Sequence, residues 1–258
     1  MKLEINVPSS LSEIPLKHYQ DFLKVQADSN DEEFVAQKMI EIFCGISLKD
    51  VVKMKLTSLN ELIQHFTKLF SEKPTFQRTF KISTAEGEIE FGFIPELEEI
   101  SFGEYVDLEN HITNWDTYHK AMAVMYRPIV KTRKDKYDIM PYEPNKDFQE
   151  LMKFAPLDVV LASSVFFLDF RKRVIAGYPE LFGEGDEEEQ DSINDFSETT
   201  QFAKRWGWYQ SVYALAKGEL TKFDDVTNYR LTKCLTYLVF EKQKNEIERR
   251  QFERNLKR

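Results

Sequence analysis

His111, Asp116 and His119 fall within nine residues of one another. Imidazole and carboxylate side chains are common ligands of zinc and related ions. To share a helix face, ligands must recur three or four residues apart. Separations of five and three do not bring all three to one face, and Trp115 interrupts them. The spacing predicts polar surface residues beside a core helix, not a metal centre. His18 and His65 have no Cys or His nearby in the sequence. Cys44 and Cys234 lie in apolar helical stripes, where a thiol packs as a small hydrophobe and nothing lowers its pKa. Two such cysteines fit a reduced, intracellular setting better than a disulfide framework. The sequence has no glycine-rich phosphate loop, no G-x-S-x-G and no H-E-x-x-H. The run Glu187-Glu188-Glu189 attracts cations, but in a linker such a run is normally just solvated. The residues therefore predict no enzyme, no cofactor and no metal site.

One basic cluster stands out. Lys131, Arg133, Lys134 and Lys136 crowd the expected tip of a hairpin over Val130–Met140. Binding to nucleic acid needs many phosphate contacts, and this is a single cluster on a chain of net charge -9. The balance argues against a nucleic-acid partner. It predicts a solvent-facing turn, or a basic contact patch for an acidic protein. The longest apolar run, Val159–Leu168, is bounded by Asp158 and Asp169. It is far short of the ~20 residues that a membrane span requires. The N-terminus lacks the basic-then-apolar layout of a signal peptide.

The elements around these residues are mostly helical. With 258 residues, nine Gly and nine Pro, the chain can bury a real core and disfavours a loop-rich or all-β fold. Met1–Val7 alternates Leu3, Ile5 and Val7 as a short edge strand would. Ser12 or Ile14 is then expected to lead into a helix with Leu16, Tyr19, Phe22 and Leu23 on one face. Another is expected over Glu32–Cys44, stopped by Gly45. Ser47/Asp50, Ser58/Glu61 and Ser101/Glu104 each have capping-box spacing and predict helix starts. Residues 74–94 switch to a period of two and predict a hairpin closed around Ser83–Gly87. Trp115–Tyr126 reads as a helix stopped by Arg127-Pro128, and Phe148–Phe154 as a short one. Pro156 opens what reads as the most buried helix, Leu157–Ala176. The predicted class is mainly α (α+β): a helical bundle with one or two small β-hairpins and a long C-terminal helix. The expected divisions are 1–73, a short-helix cluster; 74–182, a hairpin plus helical body; 183–192, an acidic linker; and 193–258, an aromatic helix followed by the long one.

The C-terminal tract carries the features best suited to binding. Ser197 is placed to cap a helix through Phe202, Trp206, Tyr209, Val212, Tyr213 and Ala216, ending near Gly218. On that stripe Trp206 and Tyr213 face inward, and Trp208 falls off it as the exposed anchor. Phe223–Thr227 reads as a connector. Leu231, Cys234, Leu235, Leu238 and Val239 then trace a core-facing stripe. Beyond Phe240 it thins to Ile247, Phe252 and Leu256 among Glu, Lys, Arg, Gln and Asn. A helix of ~27 residues is ~40 Å long, more than a compact domain needs. Trp206, Trp208, Tyr209, Tyr213, Ile247 and Phe252 are therefore the candidate partner-binding residues, since aromatic side chains dominate interface energetics.

Three stretches also bear a resemblance. Glu32–Val35 leading through Ile42-Phe43-Cys44-Gly45-Ile46-Ser47-Leu48-Lys49-Asp50-Val51 resembles segments of tailed-phage morphogenesis proteins. Trp115–Ile129 resembles a stretch of large-phage proteins of tail assembly. Trp206-Gly207-Trp208-Tyr209-Gln210 to Leu215-Ala216, then Val226-Thr227 and Leu231–Glu241, is similar to the C-terminal part of phage tail assembly chaperones. The resemblance implies a helical, non-catalytic assembly factor in the infected host's cytoplasm. Its implied partner is a phage tail or baseplate protein, the tape-measure protein first among them. The chain departs from the small chaperones of that kind by its hairpins and its length. That departure keeps open the alternative of a structural virion component of the tail, baseplate or connector.

Overall fold

The computed structural model describes residues 5–134, 136–144, 146–183 and 206–256. These are mainly helical, with one small antiparallel sheet, as expected of an α+β chain. They group into two compact units that are discontinuous in sequence. The first is Met1–Pro95 with Asn110–Phe167, and the second is Glu96–Glu109 with Leu168–Arg258. Elements are numbered along the chain.

The first unit begins with Ile5–Val7 in irregular conformation, where a strand was expected; residues 1–4 of that expectation lie outside the described residues. A 3-10 turn at Leu11–Glu13 leads into α1 (Leu16–Asp28). α1 starts after Pro15, just past the expected lead-in at Ser12 or Ile14, because Pro15 forms an isolated antiparallel bridge with Pro156. The bridge supplies acceptors to two helix starts at once. Leu16 N donates to Ala155 O at 2.9 Å, and Leu157 N donates to Ile14 O at 2.9 Å. Both are first-turn N–H groups with no partner inside their own helix.

α2 (Glu32–Cys44) is capped by the Asp31 carboxylate, which accepts from Glu33 N and Phe34 N, and it ends at Gly45 as expected. α3 (Leu48–Val51) follows Ser47, whose hydroxyl donates to Asp50 at 2.7 Å. α4 (Leu56–Phe70) begins before Ser58, so the Ser58/Glu61 pair is a helix-interior i,i+3 pair and not a cap. Phe22, Phe43, Phe66 and Phe70 lock α1, α2 and α4 together through tilted rings 5.4 Å apart.

The two expected hairpins are fused. β1 (Thr79–Thr84), β2 (Gly87–Phe93), β3 (Tyr126–Arg133) and β4 (Lys136–Ile139) form one sheet in the order β1-β2-β3-β4. The join is Phe91↔Pro128, Gly92↔Arg127 and Phe93↔Tyr126. The stretch expected as one helix over Trp115–Tyr126 is a 3-10 turn, Trp115–Thr117, then α6 (Tyr118–Met125). The chain leaves α6 directly into β3, because Tyr126 and Arg127 pair with β2. One face of the sheet buries Phe80, Phe91, Phe93 and Tyr126. α7 (Lys146–Leu151), a 3-10 turn at Met152–Phe154 and the first half of α8 (Leu157–Gly177) complete this unit. α8 starts after Pro156 as predicted, yet Val165, Phe166 and Leu168 are exposed, so it is not the most buried helix.

The second unit is built on α5 (Phe102–His111). Its start is a reciprocal capping box. Ser101 N donates to the Glu104 carboxylate at 2.7 Å, and Glu104 N donates to Ser101 Oγ at 3.2 Å. Residues 96–109 group with the C-terminal tract, not with the hairpin before them. Phe102 N bonds Tyr229 O at 2.8 Å and Leu231 N bonds Ile100 O at 2.9 Å. α9 (Pro179–Phe182), α10 (Trp208–Leu215), α11 (Phe223–Asn228) and α12 (Leu231–Leu256) follow. The expected connector at Phe223 is therefore itself a helix. Thr227 Oγ1 and Asn228 Nδ2 both donate to Asp224 O within it. The acidic linker from residue 184 and the helix start at Ser197 lie outside the described residues. α12 spans 26 residues, about 39 Å at 1.5 Å per residue.

Candidate partner-binding surface

α10 begins at Trp208, and the expected helix positions before Trp206 lie outside the described residues. Gly207 has φ +42° and ψ -128°, a conformation that excludes helix and favours glycine. The helical phase therefore restarts at Trp208. Trp208, Val212 and Ala216 form the inward stripe, with Val212 and Ala216 buried and Trp208 half-buried. The Trp208 indole packs edge-on against Phe102, Tyr105 and Phe182 at 5.7, 5.6 and 6.2 Å. The expectation of Trp208 as exposed anchor is thus reversed. Trp206, Tyr209 and Tyr213 are 41, 48 and 56% exposed. Trp206 and Tyr209 lie 5.4 Å apart with rings tilted by 43°, and Tyr209 leans on Phe223 at 5.5 Å. The helix ends through Lys217 and Gly218, both left-handed, with Gly218 N bonded to Tyr213 O.

α12 has two faces. Leu231, Cys234 and Leu235 are buried and Leu238 is half-buried, as the stripe predicted. The same face continues to Phe252 and Leu256, which are exposed, as is Ile247. Two recesses flank this helix. One, of about 540 Å³, lies between α9, α10 and α12, lined by Leu181, Phe182, Trp208, Ala214, Leu235 and Leu238, with Glu241, Lys242 and Arg249 along its edge. The other, of about 600 Å³, lies beside α11 and is lined by Leu215, Val226, Tyr229, Tyr237 and Phe240 with Lys217 and Lys233. Tyr229, Lys233 and Phe240 were not singled out from the sequence. The signal was there, since Lys233, Tyr237, Phe240, Lys244 and Ile247 recur at spacings of four and three.

The basic patch belongs to the first unit. Lys131, Arg133, Lys134 and Lys136 are all exposed at the β3–β4 tip, where Arg133 pairs with Lys136 in the ladder and Lys134 adopts φ +51°. Arg133 reaches Asp138 at 3.8 Å, and Lys131 stands opposite Asp138 in register. A smaller cavity of about 130 Å³ between α6 and Met140–Pro144 is below the ~300 Å³ of usual ligand pockets.

The three side chains that could have held a metal are apart. Asp116 pairs with Lys24 at 3.4 Å on the surface, and His111 Nδ1 lies 3.2 Å from Thr117 Oγ1. His119 is buried beside Gln20, and burial holds its pKa down at about 4. Among the described residues no three His, Cys, Asp or Glu side chains are grouped to hold an ion. His65 bonds Pro8 O at 2.7 Å. Burial pushes the Cys44 and Cys234 thiols up to about 11, the reverse of an activated cysteine. No described helix is long and apolar enough to cross a membrane.

No family model, curated protein or solved structure matches this chain. Its surface offers aromatic rings on α10, two apolar recesses along α12, and a basic hairpin tip on the other unit.

Proposed function

We propose that the chain is a non-enzymatic assembly factor of tailed phages, which binds a tail tape-measure or baseplate protein in the host cytoplasm. The observation that carries this reading is the exposed aromatic cluster Trp206, Tyr209 and Tyr213 beside an α12 whose outlying apolar residues Ile247 and Phe252 are 55 and 64% exposed. Tyr and Trp give large contact area at low entropic cost and are enriched at interface hot spots. A partner helix laid against such a surface recovers apolar burial that the chain alone leaves in water. The resemblance of this same tract to tail assembly chaperones supplies the biological setting.

The test is affinity purification of the tagged protein from infected cells. Wild-type protein should capture one tail or baseplate protein. Trp206→Ala with Tyr209→Ala should cut that capture about tenfold or more, as hot-spot truncations do, while circular dichroism stays unchanged. Equal capture by the variant overturns the reading. Mass spectrometry of purified particles separates the two roles. Absence from particles fits a chaperone, whereas stoichiometric presence makes the protein a structural virion component instead.

A further inference from the structure

α12 carries a second stripe on the face turned away from its core contacts. Lys233, Tyr237, Phe240, Lys244 and Ile247 follow one another at spacings of four, three, four and three, and Gln251 and Arg254 continue the pattern. This is the seam spacing of a helix that pairs with another helix. Phe240 is 58% exposed, Ile247 is exposed, and Tyr237 is half-buried at the mouth of the recess beside α11.

The charge on this seam has one sign. Lys233, Lys244 and Arg254 lie on it, while Glu241 and Glu248 stand along one edge of it. Glu246 and Glu253 are turned aside, paired with Arg250 at 3.5 Å and Arg249 at 3.8 Å. Lys244 has only a long contact to Glu241 at 4.0 Å. Among the described residues no carboxylate lies within ion-pair reach of Lys233 or Arg254. Lys233 Nζ instead sits over the Tyr229 ring at 3.9 Å. The recess that opens the seam is lined by Lys217 and Lys233 and by no acid. A cationic, apolar stripe of this kind on a chain of net charge -9 is a local feature of α12, not a consequence of composition.

We infer that the outer face of α12, from Lys233 to Arg254, docks an acidic amphipathic helix of a partner protein. This rests on the reading above that the chain binds another polypeptide. The seam is about 30 Å long, which calls for a partner helix of about 20 residues. Its apolar residues must fill the spaces around Tyr237, Phe240 and Ile247, and its flanking Glu or Asp must meet Lys233, Lys244 and Arg254. Paired in parallel and in register with a second copy of this chain, Lys233, Lys244 and Arg254 would each meet their own counterparts, and like charges across a seam select against that pairing.

The probe is a synthetic helical peptide of about 20 residues with Leu at four-three spacing and Glu at the flanking positions. A control carries Lys in place of every Glu, and vesicles of phosphatidylglycerol and phosphatidylcholine form a third arm. Full-length protein is titrated with each and read by fluorescence anisotropy. The acidic peptide should bind. Lys233→Glu with Lys244→Glu should weaken it about tenfold or more. Raising salt from about 0.05 M to about 0.5 M should do likewise, because these charges are exposed. All the substituted side chains are exposed, so an unchanged circular dichroism spectrum is expected. The inference falls if the acidic peptide fails to bind, if the lysine peptide binds as well, if the charge reversals leave affinity unchanged, or if anionic vesicles bind more tightly than the peptide. The same double variant in the infected-cell purification separates the two readings. Full capture there removes the acidic-helix seam and leaves the Trp206–Tyr209 surface standing.

Discussion

Trp208 stands edge-on to Tyr105, with ring centroids 5.6 Å apart and planes at 89°. The negative face of one ring meets the positive edge of the other, the preferred geometry for aromatic pairs. Phe102 receives the same indole at 5.7 Å, so α10 is held to α5 chiefly through this side chain. Removing it leaves a void between two helices. Trp208→Ala should cost about 3 kcal/mol, in the range for large aromatic truncations that are not wholly buried. Trp206→Ala and Tyr209→Ala, made at exposed rings, should each stay within about 0.5 kcal/mol. Urea denaturation of the three variants checks this. Three equal losses of stability would contradict the packing.

Gly92 faces Tyr137 across the sheet. A methyl group placed on Gly92 would lie 2.5 Å from the Tyr137 ring. The ring cannot easily withdraw, because its hydroxyl donates to Phe93 O at 2.8 Å. Gly92→Ala should therefore destabilise by about 1–3 kcal/mol, the usual cost of overpacking. In a Tyr137→Ala background the same change should cost little, since the clash has gone. Thermal unfolding of the four proteins in this cycle measures the coupling. Additive losses would show that the ring moves aside freely.

What could be read from the sequence was local. Ser101 with Glu104 caps α5 as their spacing predicts, because those bonds close within three residues. The same reasoning misplaced the start of α4, because Ser58 and Glu61 are also neighbours on a helix already under way. The fusion of two hairpins into one sheet was not legible, since Phe91↔Pro128 joins residues far apart in the chain. At the candidate site, the roles of Trp206 and Trp208 were exchanged by one backbone angle. A helical wheel carried through Gly207 assigns the wrong face to each ring, and the positive φ there resets the count. Exposure of Ile247 and Phe252 at the thinning end of α12 followed directly from the spacing, because the residues between them are charged or polar.

The capping box at α5 gives a third prediction. The Ser101 hydroxyl is the acceptor for Glu104 N, and the Glu104 carboxylate takes Ser101 N in return. Ser101→Ala leaves one helix N–H without that acceptor and should cost about 1 kcal/mol, as cap removals do. Ser101→Thr keeps the acceptor and should retain most of the stability. Chemical denaturation distinguishes the two, and an alanine variant as stable as wild type would mean that water replaces the cap at no cost.

His119 makes the stability of the first unit depend on pH. Its ring is buried, with Gln20 at 3.4 Å from Nδ1 and the Glu150 carboxylate 3.9 Å from Nε2. Desolvation is the main cause of its lowered pKa, about 4 against an ordinary 6.5. Lys153, Lys120 and His111 push in the same direction and Glu150 opposes them. Above pH 6.5 the ring is neutral in both folded and unfolded chains and contributes no pH dependence. As pH falls below 6.5 the unfolded chain takes up a proton that the folded chain refuses, so stability drops until about pH 4, where the folded ring also titrates. Linkage sets the total loss on the order of 3 kcal/mol across that window. His119→Gln removes the titrating group and keeps a polar side chain beside Gln20, so its unfolding midpoint should fall less steeply between pH 6.5 and 4 than that of the wild type. Denaturant titrations at a series of pH values, compared as differences between the two proteins, measure this directly. Parallel curves across the whole window would mean that His119 is protonated in the folded chain as readily as in the unfolded one.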